Sequence, residues 1–259
     1  MKKRTLLKVS GFVLAIFFLA STCWAEPTNI TVRVLSKYAK FIGSSMGGAL
    51  IMLRDAQTGE LLASGKTLGS TGDVNRIIKE DHRRGVPLSS EGSAKFSATL
   101  DLNEPRLIEV TAFGPLAQRQ SANRVSATQW VVPGKHLTAG DGWLLEMSGF
   151  VVDVMEPPAP SKLKGTPQSV ELKANVRMMC GCPIRPDGLW DANRLEVVAL
   201  IKKNGESAGK TPLTYAGATS IFAGTVKVNE PGTYEVMVYA YDPNNGNTGV
   251  DSVTFMVSK

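Results

Sequence analysis

The chain has 259 residues, with 29 Lys+Arg against 23 Asp+Glu, 25 Gly, 14 Pro and 3 Cys. Four of the bases (Lys2, Lys3, Arg4 and Lys8) and no acids fall within residues 1–25, so the formal charge of +6 drops to +2 beyond them. That near-balance gives no ground for a nucleic-acid partner, and the remaining length suits two ordinary domains, whose Gly and Pro content favours β structure.

Residues 1–25 have the layout of a secretory signal peptide: the basic start, the apolar run 11–20 (GFVLAIFFLA), and a cleavage site within 21–25, after Ala25. The run is short of the roughly 20 residues that span a bilayer. A lipoprotein reading at Cys23 is disfavoured by the bulk of Thr22. No later segment is apolar enough for a transmembrane span. The expected location is periplasmic or extracellular.

Residues 26–155 read as a first β-sandwich. Ile30, Val32 and Val34 alternate with polar neighbours, as do Ala49, Ile51 and Leu53, and the turn Asp55-Ala-Gln-Thr-Gly59 leads to Leu61, Leu62 and Ala63. Further strands are expected over 96–102, 107–113, 129–132 and 143–147, with 150–154 closing the sheet. Residues 71–92 break the pattern: Asp73 is placed as N-cap of a short helix over 74–84 that ends at Gly85. An insertion of this kind is a common place for binding surface. His82 lies among Lys79, Arg83 and Arg84, readable as an anion- or partner-docking patch or as a solvated charged loop. His136, after Pro133-Gly134-Lys135, reads as a turn residue. The stretch GGALIMLRDAQTGELLASGKT (residues 47–67) resembles the opening of transthyretin-like or carboxypeptidase-regulatory-like sandwiches.

Residues 156–168 (EPPAPSKLKGTPQ) read as a Pro-rich, semi-rigid linker. Beyond it, over 169–259, Val170, Leu172, Ala174, Val176 and Met178 alternate with Glu171, Lys173, Asn175 and Arg177, giving a strand with one buried face. Leu195, Val197, Ala199 and Ile201 give a second strand, and residues 221–228 a third. Val236, Val238 and Ala240, then the turn Asp242-Pro-Asn-Asn-Gly-Asn247, then Val253, Phe255 and Val257 form a long hairpin. This turn lacks the ligand spacing of a calcium loop. The run Pro231-Gly-Thr-Tyr-Glu-Val-Met-Val-Tyr-Ala-Tyr-Asp242 with Gly246-Asn-Thr-Gly249 resembles the last two strands of bacterial immunoglobulin-like and fibronectin-III-like domains. The resemblance implies a tyrosine corner at Tyr234, with Trp190 capping the core. The whole is therefore expected to be all-β: two consecutive antiparallel β-sandwich domains, immunoglobulin-like, with one short helix.

Chemistry concentrates in Met178-Met179-Cys180-Gly181-Cys182-Pro183. In an undistorted strand, residues two apart share a face with Cα atoms about 6.5–7 Å apart, at or beyond disulfide range. Gly181 opens turn geometries that close this gap. Three outcomes stand: a local disulfide; a copper(I) clamp by Cys180 and Cys182 with Met178 or Met179 as soft helper ligands; or a redox-active pair beside Arg177 and Arg185. Two histidines exclude a multi-histidine metal site. Trp130, Trp143 and Trp190 are candidates for a carbohydrate platform or for core packing. The expected function is a non-enzymatic exported accessory or binding protein. It is either copper-handling or a metalloprotein-maturation factor, or else an adhesion-type module that docks another exported or membrane protein. A thiol-disulfide oxidoreductase is the remaining alternative.

Overall fold

The computed structural model describes residues 25–259 and is all-β. Residues 1–24, which hold Cys23 and all but the last residue of the expected signal peptide, lie outside the described residues. Among the described residues, no helix is long and apolar enough to cross a membrane.

The first sandwich contains β1 (Glu26–Ser36), β2 (Leu50–Asp55), β3 (Leu61–Lys66), β4 (Phe96–Leu102), β5 (Arg106–Gly114), β6 (Asn123–Val131) and β7 (Trp143–Met147). One sheet has the order β4-β1-β7, the other β3-β2-β5-β6. Alternation places Ile30, Val32 and Val34 of β1 against Ile51 and Leu53 of β2 and Ile108 and Val110 of β5, all essentially without solvent contact. The sheets are antiparallel as expected, save for one pairing in this sandwich: β1 and β7 run parallel, Val32 opposite Trp143 through Ser36 opposite Met147.

The helix expected over 74–84 shrinks to a single π-type turn, Asn75–Lys79. Asp73 Oδ1 accepts from Asn75 N–H at 2.7 Å, as a cap should. Only Ile77 is buried, however, and Glu80 already leaves in extended conformation. The charged run after Lys79 has no apolar stripe to bury, so tertiary contact does not propagate the turn. The insertion instead lies as a flap on the outer face of the β4-β1-β7 sheet, over a small core of Phe41, Ile77 and Ala94. Arg33 pins it, donating from Nη1 to Ser93 O and Ala94 O at 3.0 and 3.1 Å. Asp141 accepts from the backbone N–H groups of Leu88 and Ser89. Burial pushes the Arg33 guanidinium below its ordinary pKa, opposed by the Asp141 charge.

The second sandwich comprises β8 (Phe150–Glu156), β9 (Ser161–Lys164), β10 (Gln168–Met178), β11 (Glu196–Lys203), β12 (Glu206–Pro212), β13 (Thr214–Tyr215), β14 (Ile221–Val228), β15 (Gly232–Asp242) and β16 (Asn247–Ser258). Its sheets have the orders β13-β14-β10-β8 and β12-β11-β15-β16-β9. With β8, β10, β11, β13, β14, β15 and β16 taken as strands A to G, these are the ABED and CFG sheets of an immunoglobulin-like sandwich, extended by one strand at each edge of the second. Tyr234, at the start of strand F, donates from its hydroxyl to Glu230 O at 2.8 Å and stacks on Phe255, forming the expected tyrosine corner.

Two boundary expectations are corrected. Residues 150–154 do not close the first sheet; β8 pairs antiparallel with β10, Met178 opposite Phe150. The Pro-rich segment is not a spacer between halves. β8 pairs in one sheet and β9 pairs parallel with β16 in the other, so the prolines carry the first strand of the second sandwich from one sheet to the other. Proline lacks an N–H and suits the point where a ladder is interrupted. The link between the sandwiches is only Ser148-Gly149, between β7 and β8. Gly149 is clamped there: its N–H donates to Asn247 Oδ1 at 2.6 Å, and its carbonyl accepts from Asn247 Nδ2 at 3.0 Å.

Candidate functional site at the junction of the two sandwiches

Met178 N–H bonds to Cys182 O at 3.1 Å, and Gly181 N–H to Met178 O at 2.8 Å. β10 therefore ends in a three-residue hairpin loop, with Gly181 supplying the left-handed residue (φ +81°) that such loops require. The turn draws the cysteine Cα atoms to 5.5 Å, and Cys180 and Cys182 are disulfide-bonded. Both are buried, at 1 % and 5 % exposure, in the core of the second sandwich.

The neighbouring thioethers diverge. Met178 continues the inward register of β10 into the second core, whereas Met179 has opposite parity and packs, fully buried, in the core of the first sandwich. Met46 of the first sandwich comes so close to Gly181 that a Cβ there would lie 2.7 Å from its Sδ. Val151 of β8 likewise faces the first core while Phe150 and Val152 face the second. The Cys-Gly-Cys hairpin is thus a plug between two cores. This does not support a copper(I) clamp of Met178, Met179, Cys180 and Cys182: the sulfurs are bonded to each other and sealed, and the two methionines point into different cores. A clamp requires accessible thiolates converging on one point.

Beside the plug, the same junction opens to solvent. A cleft of about 600 Å³ runs between the loop joining β10 to β11, the β15–β16 turn, and Tyr38 and Ile78 of the first sandwich. A second chamber of about 560 Å³ shares Tyr38 and Ile78 and passes under the flap, between Leu35, Ile77, Leu88 and Leu144, with His82 and Glu146 at its edge. Tyr38 is 61 % exposed and Leu189 47 %.

The walls are tied together. Trp190 Nε1 donates to Tyr38 O at 2.9 Å, and Lys37 Nζ donates to Asn245 O at 3.0 Å while lying 5.9 Å from the Tyr38 ring centre. Asp191 Oδ1 accepts from the N–H groups of Asp187 and Asn193, both at 3.0 Å, and Arg194 Nε is 3.6 Å from Asp191 Oδ2. Asp242 Oδ1 accepts from Asn244 N–H at 2.9 Å, and Asp242 Oδ2 from Asn245 Nδ2 at 2.7 Å. Asp191 and Asp242 thus shape the loops that line the cleft.

The residues singled out in the sequence scatter. His82 reaches the edge of the second chamber, its Nε2 2.7 Å from Ile77 O. His136 sits at a turn, accepting from Asn29 N–H at Nδ1. The three tryptophans do not form a platform: Trp130 is 57 % exposed on β6, Trp143 is buried in the first core, and Trp190 lies in the cleft. Tyr38, Ile78 and Leu189 were missed because cleft walls drawn from several distant segments leave no local pattern. The one available signal was the apolar Leu189-Trp190 pair set among Asp187, Asp191, Asn193 and Arg194.

No family model matches the chain. No curated protein matches it either. Among solved structures, it is similar to an engineered protein at 14 % identity and TM-score 0.32, over 50 % of this chain and 24 % of that one, so it spans about a quarter of that protein's length. It is also similar to the fibronectin(III)-like modules of CbhA from Clostridium thermocellum, at 13 % identity and TM-score 0.30, over 90 % of this chain and 94 % of that one.

Proposed function

We propose that this chain is a non-enzymatic binding protein that works in the periplasm or outside the cell and docks another exported or membrane protein through the cleft between its sandwiches. The observation that carries this reading is that solvent-exposed Tyr38 of the first sandwich and Leu189 of the second line one cleft of approximately 600 Å³ drawn from both halves. Exposed apolar side chains gathered in a cleft mark interaction surface more often than isolated ones do. Loops at one end of an immunoglobulin-like sandwich are also the usual place for recognition. Export is supported by the leader-like residues 1–25 and by a disulfide, which persists in oxidising compartments.

The oxidoreductase alternative is disfavoured by access. Exchange begins with a thiolate approaching a disulfide sulfur, and here both cysteines are covered. The docking reading is tested by photo-crosslinking in intact cells, with benzoylphenylalanine replacing Leu189 in the cleft or Leu61 on β3 as a control. The expected result is a discrete adduct with an exported or membrane protein from position 189, suppressed by Tyr38→Asp. Identical adducts from both positions, or none from 189, would overturn it.

A further inference from the structure

We propose that the occupant of the cleft is an extended polypeptide segment that presents an aliphatic side chain next to a lysine or arginine. The proposal rests on the docking reading above and specifies the chemistry of the partner.

The two chambers meet at Tyr38 and Ile78 but differ in character. The chamber under the flap has an aliphatic lining of Leu35, Ala39, Ile77, Ile78, Leu88 and Leu144. Such a surface accepts an apolar side chain and offers little to a polar one. The outer chamber carries Asp187, Asp191 and Asp242 against Arg194, and Glu146 adds a further carboxylate on the flap side. Lys37 flanks Tyr38 as a second cation, so the acids still outnumber the permanently charged bases. The hydrogen bonds to Asp191 and Asp242 come mainly from neutral N–H groups, and the one cation paired with either of them is Arg194 on Asp191. Aromatic walls beside carboxylates favour a cation, and Lys37 over the Tyr38 ring is an internal instance of that contact.

A glycan fits less well. Sugar recognition needs free polar side chains around an open aromatic face. Here the Trp190 indole N–H is engaged by Tyr38 O, and the Asp191 and Asp242 carboxylates are engaged by their own loops. Charge and apolar surface remain, and together they match a basic-aliphatic segment.

The test uses the full mature chain and three probes: a capped Thr-Leu-Thr-Lys-Thr-Leu peptide, the same peptide with Glu for Lys, and cellohexaose. Binding is followed by Trp190 fluorescence and by chemical-shift changes. The Lys peptide is expected to bind and to weaken several-fold as salt rises from low to high ionic strength. Asp187→Asn with Glu146→Gln is expected to weaken it roughly three- to tenfold, and Ile78→Asp to abolish it. Asn tolerates the positive φ (+55°) of residue 187. Equal binding of the Lys and Glu peptides, preference for cellohexaose, or no response to the Lys peptide would overturn the proposal. If the Leu189 crosslink persists in any of these cases, docking at the cleft stands and only the basic-aliphatic assignment falls.

Discussion

Met179→Ala tests whether the two sandwiches are one cooperative unit. Met179 has no solvent contact, although it lies in the polar-facing register of β10, because the face that should meet water meets the other core. Truncation removes three heavy atoms from a site that collapses poorly. One wall is Gly149 backbone, where a Cβ would lie 3.1 Å from Met179 Sδ, and the adjoining loop is fixed by the disulfide and by Met46 against Gly181. Buried Met→Ala changes cost about 2–5 kcal/mol, and poor collapse places this one in the upper half, about 3–5 kcal/mol. Urea unfolding followed by tryptophan fluorescence and far-UV dichroism is the assay, with Met256→Ala (45 % exposed) as control, expected within about 0.5 kcal/mol of the parent. The parent should unfold in one transition and the variant should separate into two, as the second sandwich loses its anchor in the first. A loss below about 1 kcal/mol with a single unaltered transition would refute the plug.

Replacing both Cys180 and Cys182 by Ala is expected to cost roughly 2 kcal/mol, mostly the chain-entropy constraint of a three-residue loop. Peptide binding in the cleft should stay unchanged; lost binding at unchanged stability would restore a direct role for the sulfurs. Asp55 accepts from Thr58 N–H and Gln57 N–H, both at 2.9 Å, and these bonds, with Arg106 nearby, hold its carboxyl below the ordinary value of 3.8. Its depressed pKa means that its contribution is complete above the ordinary value and fades as pH falls through the lowered one. The stability gap between parent and Asp55→Asn should therefore close only below pH 3.8, as urea midpoints across the acid range would reveal. Tyr234→Phe removes the bond to Glu230 O but keeps the stack on Phe255, so thermal unfolding should report a loss of about 1 kcal/mol.

Strand positions and buried faces were determined by the sequence, because period-two alternation is a local consequence of the pleat. The face of β10 from Val170 to Met178, the core residues of β1, β2 and β5, and the tyrosine corner were all readable residue by residue. Partner choice was decided by tertiary structure. Apolarity on both faces of Phe150-Val151-Val152 was visible, but not that β8 joins the second sandwich while Val151 serves the first. Prolines 157, 158 and 160 looked like a spacer because composition reports local stiffness, whereas the switch between sheets depends on where β10 and β16 already stand. The sulfurs of residues 178–182 could be counted in the sequence. Their fate depended on what covers the end of β10, and that cover is built from Met46, Gly149 and Val151, more than 25 residues away in sequence at the least. The cleft was invisible for the same reason: its walls come from several distant segments whose apolar and acidic side chains converge only when both sandwiches are folded.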